Sequence, residues 1–326
     1  MVSPTQRRKD AQATPQMAEV NSTSQLVALW LHGFSPETVR SYEYDIRCFI
    51  GFMTGKKAQL VTLNDLDLRT VKLNDVQAYV DFLIHKKYSP ASLNRQLAAV
   101  RSLFAMAFDC GYLAFNAPAR VKGVKQKDDL AERILSEFET MQLLATASRK
   151  VVKRTNKSKS NLSPKEKIAR RNYLLLEFLY YTGARVSEVA RLTWRDLKSN
   201  RNGLGQVTLF GKGGKTRTVL LSSSLYRDLL ATRTSKEPEA AVFASRKGDK
   251  PLQARQIRKI VNDIAAEAGL DGSVSPHWLR HSHASHSLDR GAPPQLVQQT
   301  LGHQSLHTLT RYAHARPSDS SGLYLP

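Results

Sequence analysis

The feature that most constrains the fold is a pair of Ser-Pro helix starts early in the chain, each followed by a long apolar stripe. Ser35–Pro36 and Ser89–Pro90 each place a good N-cap before a proline whose fixed φ suits the first helical position. Apolar residues then recur at helical spacing, at Val39, Tyr42, Ile46, Phe49 and Met53 in the first case and at Leu93, Leu97, Val100 and Phe104 in the second. Two long amphipathic helices are therefore expected.

Two further segments near these helices have the same character. Residues 22–33 predict a short helix ended by Gly33, and a third helix is expected to start at Asn74. Residues 21–115 are therefore predicted to form an all-helical domain.

The chain on either side of this region lacks helical periodicity. Residues 1–20 are polar and basic and contain no apolar segment of the kind found in secretory signals, which predicts a flexible tail. Residues 116–132 contain Pro118, Gly123 and mixed charges, which predicts a linker. A second domain is expected over residues 133–326, beginning with a helix whose capping box is Ser136 and Glu139.

The second domain mixes helices with one β-hairpin. Residues 173–185 begin with a nearly unbroken apolar run that predicts a buried helix, broken by Gly183. The β-type segments QVTLF and TRTVLL flank a GKGGK turn, which predicts a hairpin. Helices are expected at 253–268, 276–288, 293–301 and 305–313. The predicted fold class is mainly α with a small β-sheet.

Charge narrows the choice of partner. The chain has 49 Lys and Arg against 28 Asp and Glu, a formal net charge of +21, which favours a polyanion such as nucleic acid. The most basic segment is an expected insertion at 149–168, which predicts either a solvated loop or a loop that binds the DNA backbone. No apolar run is long enough to span a membrane, and the only cysteines, Cys48 and Cys110, suit a reducing cytoplasm rather than a disulfide framework.

Four of the nine histidines lie in HWLRHSHASH, residues 277–286, which raises the question of a metal site. His277 and His281 have the i, i+4 spacing that metals favour, but His283 and His286 spread around the helix. Since no Cys, Asp or Glu lies between 272 and 288 to complete the ligands, no metal is expected. Paired carboxylates for a two-metal nuclease are not apparent either.

Cations and one tyrosine supply the groups that phosphodiester chemistry needs: a nucleophile, charge on the non-bridging oxygens and a proton donor. They are Arg185 after a glycine turn, Lys212 in the hairpin turn, His277 and Arg280 on one helix, His303 after another helix, and Tyr312 nine residues later. None of these residues is diagnostic alone.

Their order resembles that of the tyrosine recombinase (phage integrase) family. TGARVSE, GKGGKTR, HWLRH and LGHQSLHTLTRYAH resemble the family's catalytic motifs, with a spacing typical of its Xer-like, two-domain members. SPETVRSYEYDIRCF resembles its core-binding domain and NAPA its interdomain linker, so the resemblance covers residues 22–314. It implies an N-terminal helical, SAM-like core-binding domain followed by a mixed α/β catalytic domain.

The resemblance also implies roles at the reacting phosphate. Tyr312 would attack it and form a 3′-phosphotyrosyl link, while Arg185 and Arg280 bind the non-bridging oxygens. Lys212 would be the general acid, with Lys215 as its rival, and Tyr324 is a weaker alternative to Tyr312 because its flanks match nothing.

The remaining site residues would assist. His277 would help proton transfer at the tyrosine and His303 would bond the phosphate, while Glu188 and His281 support the site. His286 matches a structural position, and His283 has no expected role. Lys86, Lys87, Arg95 and Arg101 are candidates for DNA contact.

The family further implies a cytoplasmic enzyme without cofactor, metal or ATP, acting on double-stranded DNA with inverted half-sites. A homodimer would occupy each site and a homotetramer would form the synapse. A type IB topoisomerase, a non-catalytic DNA-binding protein on the same scaffold and a metal-dependent nuclease are the alternatives. The core-binding domain disfavours the first, the complete residue set the second and the missing carboxylates the third.

Overall fold

A computed structural model describes residues 20–125, 130–152, 163–200, 202–211, 214–246, 250–270 and 274–302. The chain divides into two compact units, Met1–Lys127 and Asp128–Pro326, each with its own apolar core. Residues 1–19 of the expected tail and the helix expected at 305–313 lie outside the described residues. In the described part, no helix is both long enough and apolar enough to cross a membrane.

The first unit is helical, as predicted. Its helices are α1 (Thr23–Leu31), α2 (Pro36–Thr54), α3 (Leu73–His85) and α4 (Pro90–Asp109). The Ser35 hydroxyl accepts a hydrogen bond from Thr38 N, and the Ser89 hydroxyl accepts one from Ser92 N, so both Ser-Pro starts are confirmed as N-caps.

The predicted stripes form the core of the first unit. The Phe49 ring packs edge-on against Tyr79 and Phe104, with centroids 5.1 and 6.2 Å apart. Beyond α4 the chain forms a 3-10 turn at Ala117–Arg120, and Val121 is buried in the same core. The first part of the expected linker therefore contributes to the first unit.

The second unit begins with two long helices, α5 (Glu137–Val152) and α6 (Pro164–Thr182). The capping box between Ser136 and Glu139 is confirmed. The expectation that the buried helix begins at 173 is wrong, because α6 starts at Pro164 behind a second capping box formed by Ser163 and Glu166. Residues 164–168 of the expected insertion are thus helical, 149–152 belong to α5, and 153–162 lie outside the described residues.

After α6 come a short helix, a sheet and another short helix. They are α7 (Val186–Val189), β1 (Leu197–Ser199), β2 (Gly205–Phe210), β3 (Thr216–Leu221) and α8 (Ser223–Leu230). The sheet is antiparallel in the order β1-β2-β3, with Leu209 paired to Arg217. The hairpin is confirmed, whereas β1 and α8 were not predicted.

Three helices complete the described part of this unit: α9 (Ala254–Glu267), α10 (Pro276–Asp289) and α11 (Pro294–Leu301). Leu175, Leu176, Phe178 and Leu179 of α6 are fully buried where that helix packs against α5 and α10. Leu135 joins the start of the unit to α10, since its N–H donates to the Ser282 hydroxyl at 2.9 Å. This central position of α6 fixes the turn that follows it, at Gly183.

Candidate active site

Three arginines from different elements converge on the C-terminal end of α11. Arg217 Nε, from β3, donates to Thr300 O at 2.6 Å. Arg280 Nη2, from α10, donates to Leu301 O at 2.7 Å, and Arg185 Nη2, from the turn before α7, lies 3.4 Å from Gly302 O. The last carbonyls of a helix have no intrahelical partner and form its negative end, so they attract all three guanidiniums.

Glu188 on α7 accepts hydrogen bonds from two of these arginines. Its Oε2 accepts from Arg185 N at 2.7 Å and Arg217 Nη2 at 2.8 Å, and its Oε1 accepts from Arg217 Nη1 at 2.8 Å and Arg185 Nη1 at 3.1 Å. Burial works to raise the pKa of the Glu188 carboxyl, but the hydrogen bonds from Arg217 and from the Arg185 backbone outweigh it and lower that pKa. Glu188 is therefore a fixed anion.

Arg280 joins the ends of two helices. Its side chain is buried, and besides Leu301 O its guanidinium bonds Gly183 O, just after α6. Gly183 has a left-handed backbone with φ of 58°, a conformation that favours glycine. The buried helix α6 and the cap of α11 thus fix Arg280 from two sides.

His277 lies in the first turn of α10 and is exposed. Crowding by protein atoms lowers the pKa of its imidazole, and Arg280, Arg258 and Arg185 lower it further. Its ring centroid is 6.5 Å from that of His281. An imidazole with a lowered pKa is neutral near pH 7 and can accept a proton.

His283 and His286 are structural. His283 Nδ1 donates to Tyr180 O at 2.8 Å, and burial, as the main cause, lowers the pKa of His283 to about 4. His286 Nε2 donates to Leu135 O at 2.9 Å, so its Nδ1 accepts from the Tyr180 hydroxyl at 2.9 Å. His286 therefore has the structural role implied by the resemblance, and His283 gains one that the sequence did not indicate. Among the described residues, no three His, Cys, Asp or Glu side chains group as metal ligands.

Lys212, His303, Tyr312 and the rival Tyr324 lie outside the described residues. Two of their chain neighbours are described and lie at the site. A Cβ on Gly211 would lie 3.6 Å from Glu188 Oε1, and Gly302 is the residue whose carbonyl faces Arg185. Lys215 is exposed, and its carbonyl accepts from Gly211 N at 2.7 Å across the hairpin turn.

The four candidates for DNA contact differ in their surroundings. Lys86 and Lys87 are exposed just after α3. Arg95 forms an ion pair with Asp45 and donates to the Ser41 hydroxyl at 2.8 Å, and Arg101 Nε lies 3.4 Å from Pro118 O. The Lys86 ammonium lies 5.8 Å from the centroid of the Phe82 ring, so both arginines and Lys86 also make contacts within the first unit.

Arg217 is the residue at this site that sequence reasoning missed. It lies in a strand only two residues beyond the hairpin turn, and its partner Glu188 is 29 residues away in the chain. No local pattern indicated it, because the need for a further donor beside partly exposed Arg185 follows from the burial of Glu188, which only the structure shows.

Comparisons with known proteins agree on one family. The family model described as "Phage integrase family" matches residues 135–319, and that described as "Phage integrase, N-terminal SAM-like domain" matches residues 28–111. The chain is 30% identical to tyrosine recombinase XerD of Listeria innocua over 290 residues, which is 86% of this chain and 89% of the relative. It is 32% identical to tyrosine recombinase XerC of Corynebacterium efficiens over 286 residues, 86% of this chain and 82% of the relative.

Solved structures share the fold. The XerH site-specific recombinase bound to a palindromic difH substrate superposes with a TM-score of 0.68 at 23% identity, over 90% of this chain and 82% of that one. A lambda integrase dimer bound to a COC′ core site gives a TM-score of 0.67 at 17% identity, over 91% of this chain and 95% of that one.

Proposed function

The chain belongs to the phage integrase family of tyrosine-type site-specific DNA recombinases, and we propose that it cleaves and rejoins duplex DNA with the side chains gathered around Glu188. The observation that carries this proposal is the convergence of Arg185 and Arg280 on one helix end beside a buried carboxylate. The alternatives of a swivelling topoisomerase and a non-catalytic DNA-binding protein are not favoured.

Arg185 and Arg280 bind the scissile phosphate in this proposal. Guanidinium groups donate charge-assisted hydrogen bonds to phosphate oxygens, and the protein already fixes both side chains through Glu188, Gly183 and Leu301. Such preorganised charge stabilises the pentacoordinate transition state without further reorganisation.

Tyr312 is the proposed nucleophile. A phenol of pKa about 10 is a weak nucleophile at neutral pH, so the reaction needs a nearby base and cations that stabilise phenolate. Neutral His277 accepts the phenolic proton, Tyr312 forms a 3′-phosphotyrosyl link and Lys212 protonates the departing 5′-oxygen. Since the link conserves the energy of the broken bond, rejoining requires neither metal nor ATP.

The other site residues assist this step. His303 donates a hydrogen bond to the phosphate, Glu188 holds Arg185 in place and His281 orients the neighbouring imidazole. Lys86, Lys87, Arg95 and Arg101 contact the DNA backbone in this proposal, and each cation contributes to salt-dependent affinity.

The proposed substrate is double-stranded DNA with inverted half-sites in the cytoplasm. One homodimer occupies each site, and two dimers pair as a homotetramer for strand exchange. The relatives solved on a palindromic substrate and as a DNA-bound dimer support this assembly, since a two-fold symmetric site suits two copies of one chain.

The test is covalent trapping in EDTA. A pool of nicked duplexes with randomised sequence is first enriched by binding to Tyr312→Phe, which lacks the nucleophile but keeps the binding residues. The enriched duplexes are then mixed with wild type, Tyr312→Phe and Tyr324→Phe. The nick lets the fragment beyond the cleaved bond diffuse away, so a covalent complex accumulates and survives SDS.

An adduct formed by wild type and Tyr324→Phe, and absent for Tyr312→Phe, is the expected result. An adduct with Tyr312→Phe would assign the nucleophile elsewhere. If every protein binds the duplexes and none forms an adduct, the protein binds without cutting. Cleavage that leaves no adduct and is abolished by EDTA would instead identify a metal-dependent nuclease.

A further inference from the structure

We propose that Arg217 is a positioning residue that preserves the positive charge of the phosphate-binding arginines and ties them to the end of α11. This inference rests on the proposed function and adds to it a residue that does not itself touch the DNA.

The guanidinium of Arg217 is already engaged within the protein. Nη1 and Nη2 each donate to Glu188 at 2.8 Å, and Nε donates to Thr300 O at 2.6 Å. Only 10% of its side chain is exposed. Nε, Nη1 and Nη2 of Arg217 thus all donate within the protein, and both ends of the fork face a carboxylate, so Arg217 acts through its neighbours.

The charge of Glu188 explains why a second arginine is needed. With Arg185 as its only partner, the buried carboxylate would neutralise the cation that has to attract the phosphate. Arg217 adds a positive charge within 2.8 Å of both oxygens. The three arginines and Glu188 together then carry two positive charges in excess, and without Arg217 they would carry one.

The contact with Thr300 links this charge to the chain that follows α11. Arg217, Arg280 and Arg185 face the carbonyls of three successive residues, Thr300, Leu301 and Gly302. The next residue in the sequence is His303. The same guanidinium that neutralises Glu188 therefore also sets the end of the helix from which the remaining catalytic segment departs.

The experiment compares Arg217→Met and Arg217→Lys in the full chain. Methionine removes the charge and every donor while keeping an unbranched stem, whereas lysine keeps the charge and loses the fork. Arg170→Met is the matched control, because Arg170 is also mostly buried, pairs with Asp228 at 3.2 Å and belongs to the first part of α6. Each protein reacts in a single turnover with the enriched nicked duplex, carrying either the ordinary scissile phosphate or a methylphosphonate, which lacks the negative charge.

On the ordinary phosphate, adduct formation should slow about 10²-fold for Arg217→Met, the scale of a small misplacement at a reacting centre, and less for Arg217→Lys. Arg170→Met should react at the wild-type rate. On the methylphosphonate, the deficit of Arg217→Met should shrink about tenfold, because a neutral linkage depends less on the charge of Arg185. Binding of the duplex, measured in a Tyr312→Phe background, should change less than threefold.

Two results would overturn the inference: wild-type rates for both Arg217 variants, or the same deficit on the charged and the neutral linkage, which would mean that Arg217 acts only through the fold. If Arg217→Met does not fold, the same comparison is made with Arg217→Gln, which also removes the charge. Absence of an adduct from wild type on the ordinary phosphate would remove the proposed function and this inference with it, whereas a wild-type adduct matched by the Arg217 variants removes the inference alone.

Discussion

Each unit of the protein contains a buried carboxylate paired with arginine, and the two pairs differ in how completely the carboxylate is bonded. Glu188 accepts four hydrogen bonds from two arginines and one backbone N–H. Asp45 is fully buried, and among the described residues it is paired with Arg95 alone and its Oδ1 has no hydrogen-bond partner.

The consequence appears in the two pKa values. Burial raises the pKa of the Asp45 carboxyl, and the single arginine does not compensate. At Glu188 burial acts in the same direction, but the two arginines reverse it and the pKa falls. One guanidinium therefore leaves the pKa of a buried carboxyl above its ordinary value, whereas two guanidiniums and a backbone N–H bring it below.

Glu188→Gln should have the largest effect. It leaves two arginines without their counter-charge, and removing one partner of a buried pair costs about 3–5 kcal/mol. Hydrogen exchange followed by mass spectrometry should show this loss in peptides of α6 and α10, with adduct formation reduced at least as much as in Arg217→Met. Unchanged protection of those peptides would mean that Glu188 does not stabilise the second unit.

The next largest effect on stability is expected from substitutions of the two glycines that end α2 and α6, both of which have a left-handed backbone conformation. Gly55 has φ of 70° with nothing within 4 Å of an added Cβ, so Gly55→Ala should cost about 1–2 kcal/mol from backbone strain alone. At Gly183 an added Cβ would lie 2.5 Å from Leu301 Cδ2, so Gly183→Ala should cost about 1–3 kcal/mol more through overpacking. Equal loss of exchange protection in the two units would show that the crowding at Gly183 relaxes freely.

Asp45→Asn should change stability by less than about 1 kcal/mol and in the stabilising direction, because it removes a poorly compensated buried charge. Its partner Arg95 keeps 43% of its side chain exposed, so water can solvate the cation that remains. The measurement is hydrogen exchange in peptides of α2 and α4. A loss of exchange protection comparable to that of Glu188→Gln would mean that Asp45 stabilises its unit as strongly as Glu188 does.

Acidification should have the smallest effect. It should change the contributions of Asp45 and Glu188 to stability in opposite directions. The contribution of Asp45 is fully present below its ordinary pKa of 3.8 and is lost as pH rises through its raised folded value. The contribution of Glu188 is present above its ordinary pKa of 4.5 and is lost as pH falls through its lowered folded value.

Each contribution to stability can be isolated as the difference between wild type and the variant that lacks the carboxylate. Stability of the first unit is measured for wild type and Asp45→Asn, and of the second for wild type and Glu188→Gln, between about pH 6 and pH 3. As the pH is lowered, the stability of wild type should rise relative to that of Asp45→Asn. The stability advantage of wild type over Glu188→Gln should shrink and be lost. Parallel trends in the two pairs would reject the assigned pKa directions.

Local signals allowed most of the helices to be predicted from sequence. Ser35–Pro36, Ser89–Pro90 and the box of Ser136 with Glu139 act within one helical turn, so neighbouring residues contain the whole signal. The same rule would have found the start of α6, because Ser163, Pro164 and Glu166 form a capping box. The basic residues in the first turns of α6 suggested a solvated loop. The tertiary packing of the apolar half of α6 is what makes the whole segment helical.

Parts of the site were not accessible to this reasoning. Arg217 meets Glu188 29 residues away and Thr300 83 residues away, and His283 meets Tyr180 across 103 residues. No local pattern encodes such distances. The strand β1 is only three residues long and α8 eight, so neither offers enough periodicity to separate it from loop.

The contacts of Leu135 bear on the order in which the protein can fold during synthesis. Its N–H and carbonyl bond Ser282 and His286, 147 and 151 residues further along the chain. At about 5–20 residues per second, a ribosome needs roughly 8–30 s to add that length. The first unit, whose described contacts all lie before residue 126, can be complete while the second still awaits its closing helix, so the nascent chain has a helical half before it has a catalytic one.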